Sequence, residues 1–205
     1  LDRLGDNRMT HQLRIVGIGG TLREESRSLY ALDYALKVAH AEGAKVTRFS
    51  VRDLNLPMYD PNDKLEDLSP QIQDFIQIMR SADAMIWSTG AYHGTLAGVT
   101  KNALDYMEFL SGGDNPYLHN KVIGLIATAG GDMAGVNTLG AMTHCVHSLR
   151  GIVAPLMVSI HNAKTVFDAD GNLSSSKYEK KLSGMAKLVV EMAQKHHHTP
   201  YAATS

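Results

Sequence analysis

Short, continuous apolar runs alternate with stretches of helical spacing along most of the chain. Such runs are typical of strands buried on both faces of a parallel sheet, and helical spacing indicates the amphipathic helices that cover it. The predicted strands cover residues 13–18, 45–51, 84–88, 122–128 and 153–160. The predicted helices cover residues 26–40, 98–110 and 135–149, and two more begin at Ser69-Pro70 and at Ser176.

The regular alternation of strands and helices predicts an α/β protein with a doubly wound, three-layer architecture. For five parallel strands we expect the flavodoxin-like order 2-1-3-4-5, in which a ligand lies outside the carboxyl ends of the strands where the order reverses. We predict a single domain over residues 13–195, an N-terminal extension over 1–12 and a C-terminal tail over 196–205.

Composition narrows the range of partners. The chain has 205 residues, with 20 Lys and Arg against 21 Asp and Glu. A protein that binds nucleic acid or a membrane surface would show a basic excess, so this balance argues against both. Cys145 is the only cysteine, so no disulfide forms within the chain and we expect a reducing, cytoplasmic compartment. No metal site is predicted, because His144 and His147 have no evident third ligand.

The glycine-rich loop after the first strand carries hydroxyl and guanidinium groups into the start of a helix. These groups belong to Thr21, Arg23, Ser26, Arg27 and Ser28. Free N–H groups and the positive end of the helix dipole meet there, so the loop predicts a phosphate site. No Gly-Lys-Ser/Thr follows, and Leu22 stands where a dinucleotide motif has its third glycine. An ordinary helix capped by Ser26, with its arginines in solvent, is the alternative.

Turn-forming and polar residues also follow the third strand, over residues 88–95. Tyr92 can stack on a flat ring, and the backbone N–H groups of residues 92–95 can bind the ring's polar edge. Packing at a surface or interface is the alternative for Tyr92, and a surface role is the simpler interpretation of His93.

The loop after the fourth strand contains Gly130 and Gly131, which let the backbone approach a ligand closely. A plain strand-to-helix turn is the alternative. Because all three loops follow parallel strands, they share one edge of the sheet. Together they predict a phosphate pocket beside a slot for a flat heterocycle.

Over residues 13–160 the chain resembles the NADPH-dependent FMN reductases of the flavodoxin-like superfamily. Their first loop has Gly-Ser-x-Arg-x-x-Ser and a further polar residue two places on. This chain has Gly20-Thr21-Leu22-Arg23-Glu24-Glu25-Ser26 and then Ser28. The resemblance implies that Thr21, Arg23, Ser26 and Ser28 hold the FMN phosphate, and we predict Arg27 beside them.

The family's second loop has Thr-Pro-Glu-Tyr-Asn-Gly-Ser, followed by Pro-Gly-x-Leu-Lys-Asn-x-Leu-Asp. The second half matches Gly98-Val99-Thr100-Lys101-Asn102-Ala103-Leu104-Asp105 closely, whereas Gly90, Ala91 and His93 replace family residues in the first half. The resemblance implies that Lys101, Asn102 and Asp105 hold the loop or a subunit contact. It assigns Tyr92, His93, Gly94 and Thr95 to the flavin ring and places Gly130 and Gly131 near it, with Thr128 and Ala129 beside them. We also predict Gly90 and Ala91 as cofactor-binding residues.

The function implied by the resemblance is that of an FMN-dependent NAD(P)H oxidoreductase. Hydride would pass from NADPH or NADH to FMN, and electrons would then reach a small acceptor (a flavin, quinone, azo compound or metal oxyanion) in a ping-pong sequence. The cofactor carries this chemistry, so no catalytic residue is predicted, and the backbone of the second and third loops is expected to donate to the ring. The resemblance also implies a homodimer or homotetramer.

Two other functions stay open. One is an FMN-binding electron carrier of flavodoxin type, without a nicotinamide site. Such carriers tend to be strongly acidic so as to steer toward basic partners, and the formal charge of −1 counts against this function. The other is a regulatory or interaction protein that has the same fold and binds no flavin, since a fold does not determine a function.

Overall fold

The computed structural model describes residues 11–197, and a β-sheet lies at its centre. The strands are β1 (Arg14–Gly20), β2 (Lys45–Ser50), β3 (Ala84–Tyr92), β4 (Thr95–Leu96), β5 (Val122–Thr128), β6 (Ile152–Val153) and β7 (Val158–Ile160). The central strands are the most apolar, and every residue of β5 is buried. This burial on both faces is what the continuous apolar runs predicted.

The strands lie in the order β2-β1-β3-β5-β6, and β7 also pairs in parallel with β5. With β6 and β7 taken as two parts of one strand, this is the predicted order 2-1-3-4-5. The predicted number of five strands was wrong, because the sheet has seven. Pro155 has no N–H to donate, so the predicted strand 153–160 is interrupted. In addition, β4 pairs antiparallel with the end of β3.

The helices are α1 (Arg27–Ala41), α2 (Val51–Leu54), α3 (Pro70–Ser81), α4 (Gly98–Asp105), α5 (Asp132–Ser148) and α6 (Ser176–His197). The predicted helix 98–110 is α-helical only to Asp105 and continues as a 3₁₀ helix over Tyr106–Leu110. The short helix α2 was not predicted, and α5 begins before the predicted residue 135.

Two hydrophobic clusters, one on each face of the sheet, give the predicted three layers. One joins the sheet to α1 and α6, with Leu32 and Met185 at its centre, and the other joins it to α3, α4 and α5 around Phe75 and Trp87. Glycine in the strands allows this close packing, since a Cβ on Gly17 would lie 2.6 Å from Leu36 Cδ1. Between these layers, the carboxyl ends of β1, β3 and β5 lie side by side at one edge of the sheet.

The ends of the described chain can be compared with the predicted limits of the domain. Helix α6 runs to His197, past the predicted domain end at residue 195. Residues 1–10 of the predicted extension and 198–205 of the predicted tail lie outside the described residues. Within residues 11–197, no helix combines the length and apolar character that a membrane crossing requires.

Candidate functional site

A cavity of about 560 Å³ lies at the carboxyl edge of the sheet, where the three predicted loops meet. Its volume is within the roughly 300–1,000 Å³ usual for small-molecule sites. The predicted site residues that line it are Thr21, Arg23, Ser26, Arg27, Ser28, Gly90, Ala91, Tyr92, Thr128, Ala129 and Gly130. The predicted site residues outside its wall are His93, Gly94, Thr95 and Gly131.

The hydroxyl groups of the first loop form a buried cluster. Thr21 Oγ1 donates to Ser26 Oγ at 3.3 Å, and Ser26 Oγ lies 3.1 Å from Ser28 Oγ. Ser26 has the extended backbone of an N-cap, but its side chain makes no capping hydrogen bond to α1. The first N–H groups of a helix have no partner within the helix. The start of α1 thus offers backbone donors and hydroxyl groups to the same space.

The charged groups around this cluster are partly paired. Arg27 Nη1 donates to the Glu25 carbonyl at 3.0 Å, and Nη2 lies 3.3 Å from Glu25 Oε2. Arg27 Nε is buried and has no hydrogen-bond partner among the described residues. On the outer side of the loop, Arg52 Nη2 lies 3.0 Å from Glu24 Oε1. Both acids of the loop are therefore held by arginines, and Arg27, which lines the cavity, keeps one N–H without a partner among the described residues.

The second predicted loop is largely a strand and hairpin, so its prediction as a loop over residues 88–95 was wrong. Residues Gly90, Ala91 and Tyr92 belong to β3, and Tyr92 pairs with Thr95 in β4. Between them, His93 has φ 51° and Gly94 has φ 82°. Two consecutive positive φ angles suit a two-residue hairpin turn. This turn lies outside the cavity wall, so a cofactor role for His93, Gly94 and Thr95 stays a prediction.

Gly90 lies where the second loop meets the first. A Cβ on Gly90 would lie 3.0 Å from Thr21 Cγ2 and 3.3 Å from Tyr92 Cε2. The Tyr92 ring therefore packs back over its own strand, with 40% of the residue exposed. Tyr92 also lines a second cavity of about 320 Å³ beside Leu22 and Val99. This tyrosine thus forms a wall between two adjoining spaces.

The third loop forms the opposite wall. Thr128 ends β5, and Ala129 N–H donates to the Ile160 carbonyl at 2.9 Å. Gly131 is the N-cap residue of α5 and is exposed, which explains why it does not line the cavity. Because Ala129 N–H is already used, Gly130 is the cavity-lining residue of this turn whose N–H can serve a ligand.

A fourth wall comes from residues that the sequence did not predict. Asn162, Ala163, Lys164 and Thr165 follow β7 and line the cavity, as does Glu25. The predicted site covered the loops after strands 1, 3 and 4, so it left out the four residues after β7, and Glu25 of the first loop was not predicted to bind. The available signal was position, since the end of the fifth strand lies at the same sheet edge.

Asn102, in the part of the second motif that matches the family pattern, has a structural role. Its Oδ1 accepts from Tyr59 N–H at 2.9 Å, and its Nδ2 donates to the Pro57 carbonyl at 2.7 Å. Asn102 therefore holds the loop that follows α2, rather than the second loop. Lys101 and Asp105 form an exposed ion pair along α4.

These features fit a phosphate monoester joined to a flat ring. The phosphate can be bound by the hydroxyl cluster, the start of α1 and Arg27. Gly90 has no side chain and lies close to Thr21, so the space beside the phosphate site stays open for the ring. The described residues contain no group of three or more His, Cys, Asp or Glu side chains that could hold a metal ion. The fold and the cavity thus define a flavodoxin-like protein with a site suited to a flavin phosphate.

The family described as NADPH-dependent FMN reductase matches residues 13–165, and the chain belongs to this family. The chain is 26% identical over 181 residues to the NADPH-dependent FMN reductase ArsH of Rhizobium meliloti (strain 1021), with 88% of this chain and 72% of that protein covered. It is 28% identical over 141 residues to an FMN-dependent NADPH-azoreductase of Staphylococcus haemolyticus (strain JCSC1435), with 62% and 71% covered.

Solved structures share the fold at low identity. FerB, a flavoenzyme NAD(P)H:(acceptor) oxidoreductase from Paracoccus denitrificans, superposes with a TM-score of 0.71 at 18% identity, covering 90% of this chain and 98% of that one. A flavodoxin from the domain Archaea gives 0.58 at 8% identity, covering 91% and 100%. The predicted flavodoxin-like fold is confirmed. Family membership likewise confirms an NAD(P)H-dependent oxidoreductase with FMN as cofactor and NADPH as co-substrate.

Proposed function

We propose that this chain transfers electrons from NAD(P)H to a small acceptor in a ping-pong reaction, with FMN held in the cavity of about 560 Å³. The observation that carries the proposal is the convergence of the hydroxyl cluster and unpartnered Arg27 Nε with the ends of β3 and β5 in that one cavity. Acceptors named for relatives, such as azo compounds, define the class to be tested.

The residues of the first loop bind the phosphate in this proposal. Thr21, Ser26 and Ser28 donate through their hydroxyl groups, and Arg23 and Arg27 supply positive charge. Hydrogen bonds from hydroxyl and backbone groups to a charged phosphate are stronger than those between neutral groups. These residues fix the position of the cofactor and take no part in electron transfer.

Residues of the second and third loops orient the ring. When bound, FMN supplies the chemistry, because it can accept a hydride and release electrons to a second substrate. In this proposal Tyr92 provides an aromatic contact at one wall, and Gly130 N–H donates where negative charge develops on the ring. Among the described residues, Glu25 supplies the one carboxylate of the cavity wall, and it is paired with Arg27. No side chain is therefore proposed as a general acid or base.

Anaerobic titration tests the proposal directly. The FMN-loaded protein is mixed with NADPH and, separately, with NADH, and loss of the oxidised-flavin absorbance is followed. Bleaching by either nucleotide is expected. Its absence with both would favour the flavodoxin-type electron carrier, and a protein that stays colourless after incubation with FMN would indicate a protein that binds no flavin.

The kinetic order is tested with two substrates. Rates measured at several concentrations of nicotinamide and of a quinone, azo or metal-oxyanion acceptor should give parallel double-reciprocal lines. Intersecting lines would show that both substrates bind together, which is incompatible with a ping-pong sequence.

We also propose a homodimer or homotetramer. Exposed apolar side chains support this, since Val136 on α5 is 56% exposed and Leu156 is 51% exposed. Close by, Thr143 Oγ1 contacts Met157 Sδ at 3.5 Å, so the segment after β6 lies against α5. Light scattering at micromolar concentration should show an assembly, and a monomer would contradict the proposal.

A further inference from the structure

The segment that follows β7 is anchored on the first turns of α1. The Phe167 ring lies 5.9 Å from the Tyr30 ring, and Phe167 also forms a β-bridge with Leu173. Gly171 has φ 82°, and a Cβ there would lie 2.9 Å from the Tyr30 ring. Asp168 Oδ1 accepts from the backbone N–H of Asn172 at 2.8 Å, which closes the turn. These contacts fix the segment against the same helix whose first turn borders the cavity.

The beginning of this segment enters the cavity wall. Ala163 is buried, and its N–H donates to the Ala129 carbonyl at 3.4 Å, which ties the segment to the third loop. Thr165 donates to the Asn162 carbonyl through both its N–H and its hydroxyl group. Lys164 lies between them, is exposed and lines the cavity together with the hydroxyl cluster of the first loop.

Lys164 differs from most charged residues around the cavity because it has no ion-pair partner among the described residues. Glu24 is paired with Arg52, and Glu25 with Arg27. Within residues 11–197, no carboxylate lies at ion-pair distance from Arg23 or Lys164. The cavity wall thus presents two cations without an internal partner. A phosphate monoester carries a charge of about −1.5 to −2 at neutral pH, which these two cations together can balance.

We propose that Lys164 is a specificity-determining residue for FMN over riboflavin, because its ammonium group binds the flavin phosphate from the part of the cavity wall that follows β7. A lysine suits this position as a point charge that needs no fixed geometry. The inference rests on the proposed function, since it takes FMN as the ligand. It adds to the predicted first-loop cradle a contact from a different part of the chain.

The test measures flavin binding rather than turnover. Apoprotein is titrated with FMN and with riboflavin, and quenching of flavin fluorescence gives both dissociation constants at low and at moderate salt. For Lys164→Gln we expect FMN affinity to fall about tenfold, by analogy with other charge-assisted contacts. Riboflavin affinity should stay unchanged, and the salt dependence of FMN binding should become weaker.

Two further variants complete the experiment. Lys177→Gln is the matched control, because Lys177 is also exposed and nearby but lies over the Tyr178 ring and outside the cavity wall. It removes the same charge and should leave FMN affinity unchanged. Lys164→Arg keeps the positive charge, so it should bind FMN with most of the affinity that Lys164→Gln loses.

Three outcomes would overturn the inference while leaving the proposed function intact. They are unchanged FMN affinity in Lys164→Gln, an equal loss for FMN and riboflavin, and an equal loss in Lys177→Gln. Failure of the unaltered chain to bind FMN would instead overturn the proposed function itself.

Discussion

Ser26 Oγ lies 3.1 Å from Ser28 Oγ, although Ser26 holds the N-cap position of α1. An N-cap serine usually accepts a hydrogen bond from the first turn of its own helix. Here the side chain contacts neighbouring hydroxyl groups at the cavity wall instead. The first turn of α1 is thereby left open to an anion, and the sequence alternative of an ordinary capped helix does not describe this side chain.

Replacing Ser26 should therefore weaken phosphate binding. For Ser26→Ala we expect FMN affinity to fall about tenfold, because a hydrogen bond to a charged group is worth on the order of 1.5–3 kcal/mol and part of the loss can be replaced by water. Riboflavin affinity should change little. Fluorescence titration of the apoprotein with both flavins measures the difference.

Ser50 gives a matched control for that variant. It is the N-cap residue of α2, and its hydroxyl does accept from Asp53 N–H at 3.3 Å. Ser50→Ala should lower the free energy of unfolding by about 0.5–2 kcal/mol and leave the preference for FMN over riboflavin unchanged. An equal loss of FMN preference in both variants would contradict a local role for Ser26.

Gly90 should be sensitive to a side chain for a different reason. In Gly90→Ala the added Cβ would press on Thr21 Cγ2 and on the Tyr92 ring, at 3.0 and 3.3 Å. Because the added methyl group would displace both the Tyr92 ring and Thr21 of the first loop, we expect several-fold weaker binding of both FMN and riboflavin. Parallel fluorescence titrations separate this pattern from that of Ser26→Ala, and loss of FMN binding alone would count against a role for Gly90 at the ring.

Gly140 provides the control for adding a methyl group. It lies on the exposed face of α5, one turn after Val136, and within one protomer a Cβ there would have open space around it. Gly140→Ala should raise the free energy of unfolding by about 0.5–1 kcal/mol, because alanine loses less conformational entropy in a helix. Urea denaturation followed by circular dichroism measures this change, and flavin affinity should not change.

Asn102 is expected to affect stability more than flavin selectivity. It is largely buried, and its amide bonds to Tyr59 N–H and the Pro57 carbonyl. Asn102→Ala leaves both groups without their partner, which should cost about 1–3 kcal/mol of stability by urea denaturation. The ratio of FMN to riboflavin affinity should stay constant. A changed ratio at constant stability would instead place Asn102 in the binding machinery.

The residue types and the family resemblance together located most of the cavity. Apolar runs predicted the strands, the order was the one usual for five parallel strands, and hydroxyl, arginine and glycine residues marked three strand ends that such a sheet brings together. The residue types did not predict the conformation of residues 90–92. Gly90 pairs with Thr128 of β5, and Tyr92 pairs with Thr95, so neighbouring strands extend β3 through a sequence with turn-forming composition. Pairing with other strands overrode local preference.

The fourth wall had only a positional signal in the sequence, the end of the fifth strand at the same sheet edge. No residue type in the sequence around Lys164 indicates phosphate binding. Its position depends on Phe167 and Gly171 packing against Tyr30, which lies far away in the sequence. Such contacts become visible only once the chain is folded.

Lys121 leads to a prediction about pH. It is almost fully buried, and its Nζ donates to the Arg80 and Ala82 carbonyls near the end of α3. Burial, together with the positive charges of Arg14 and Arg80, lowers the Lys121 pKa from 10.5 to about 8, while Asp83 acts in the opposite direction. The folded protein therefore gives up this proton more readily than the unfolded chain.

The sign of the effect follows from proton binding. Between about pH 8 and the unfolded pKa, the unfolded chain keeps the proton that the folded protein has lost, so the free energy of unfolding should rise with pH, by at most about 1.4 kcal/mol per pH unit from this group. Lys121→Met removes the titrating group and leaves two carbonyls without a donor, so it should be less stable at every pH but should lack this rise. Urea denaturation of both proteins from pH 7.5 to about 9.5, below the range in which tyrosines titrate, isolates the contribution as the difference between two slopes. Equal slopes would show that Lys121 keeps an ordinary pKa despite its burial.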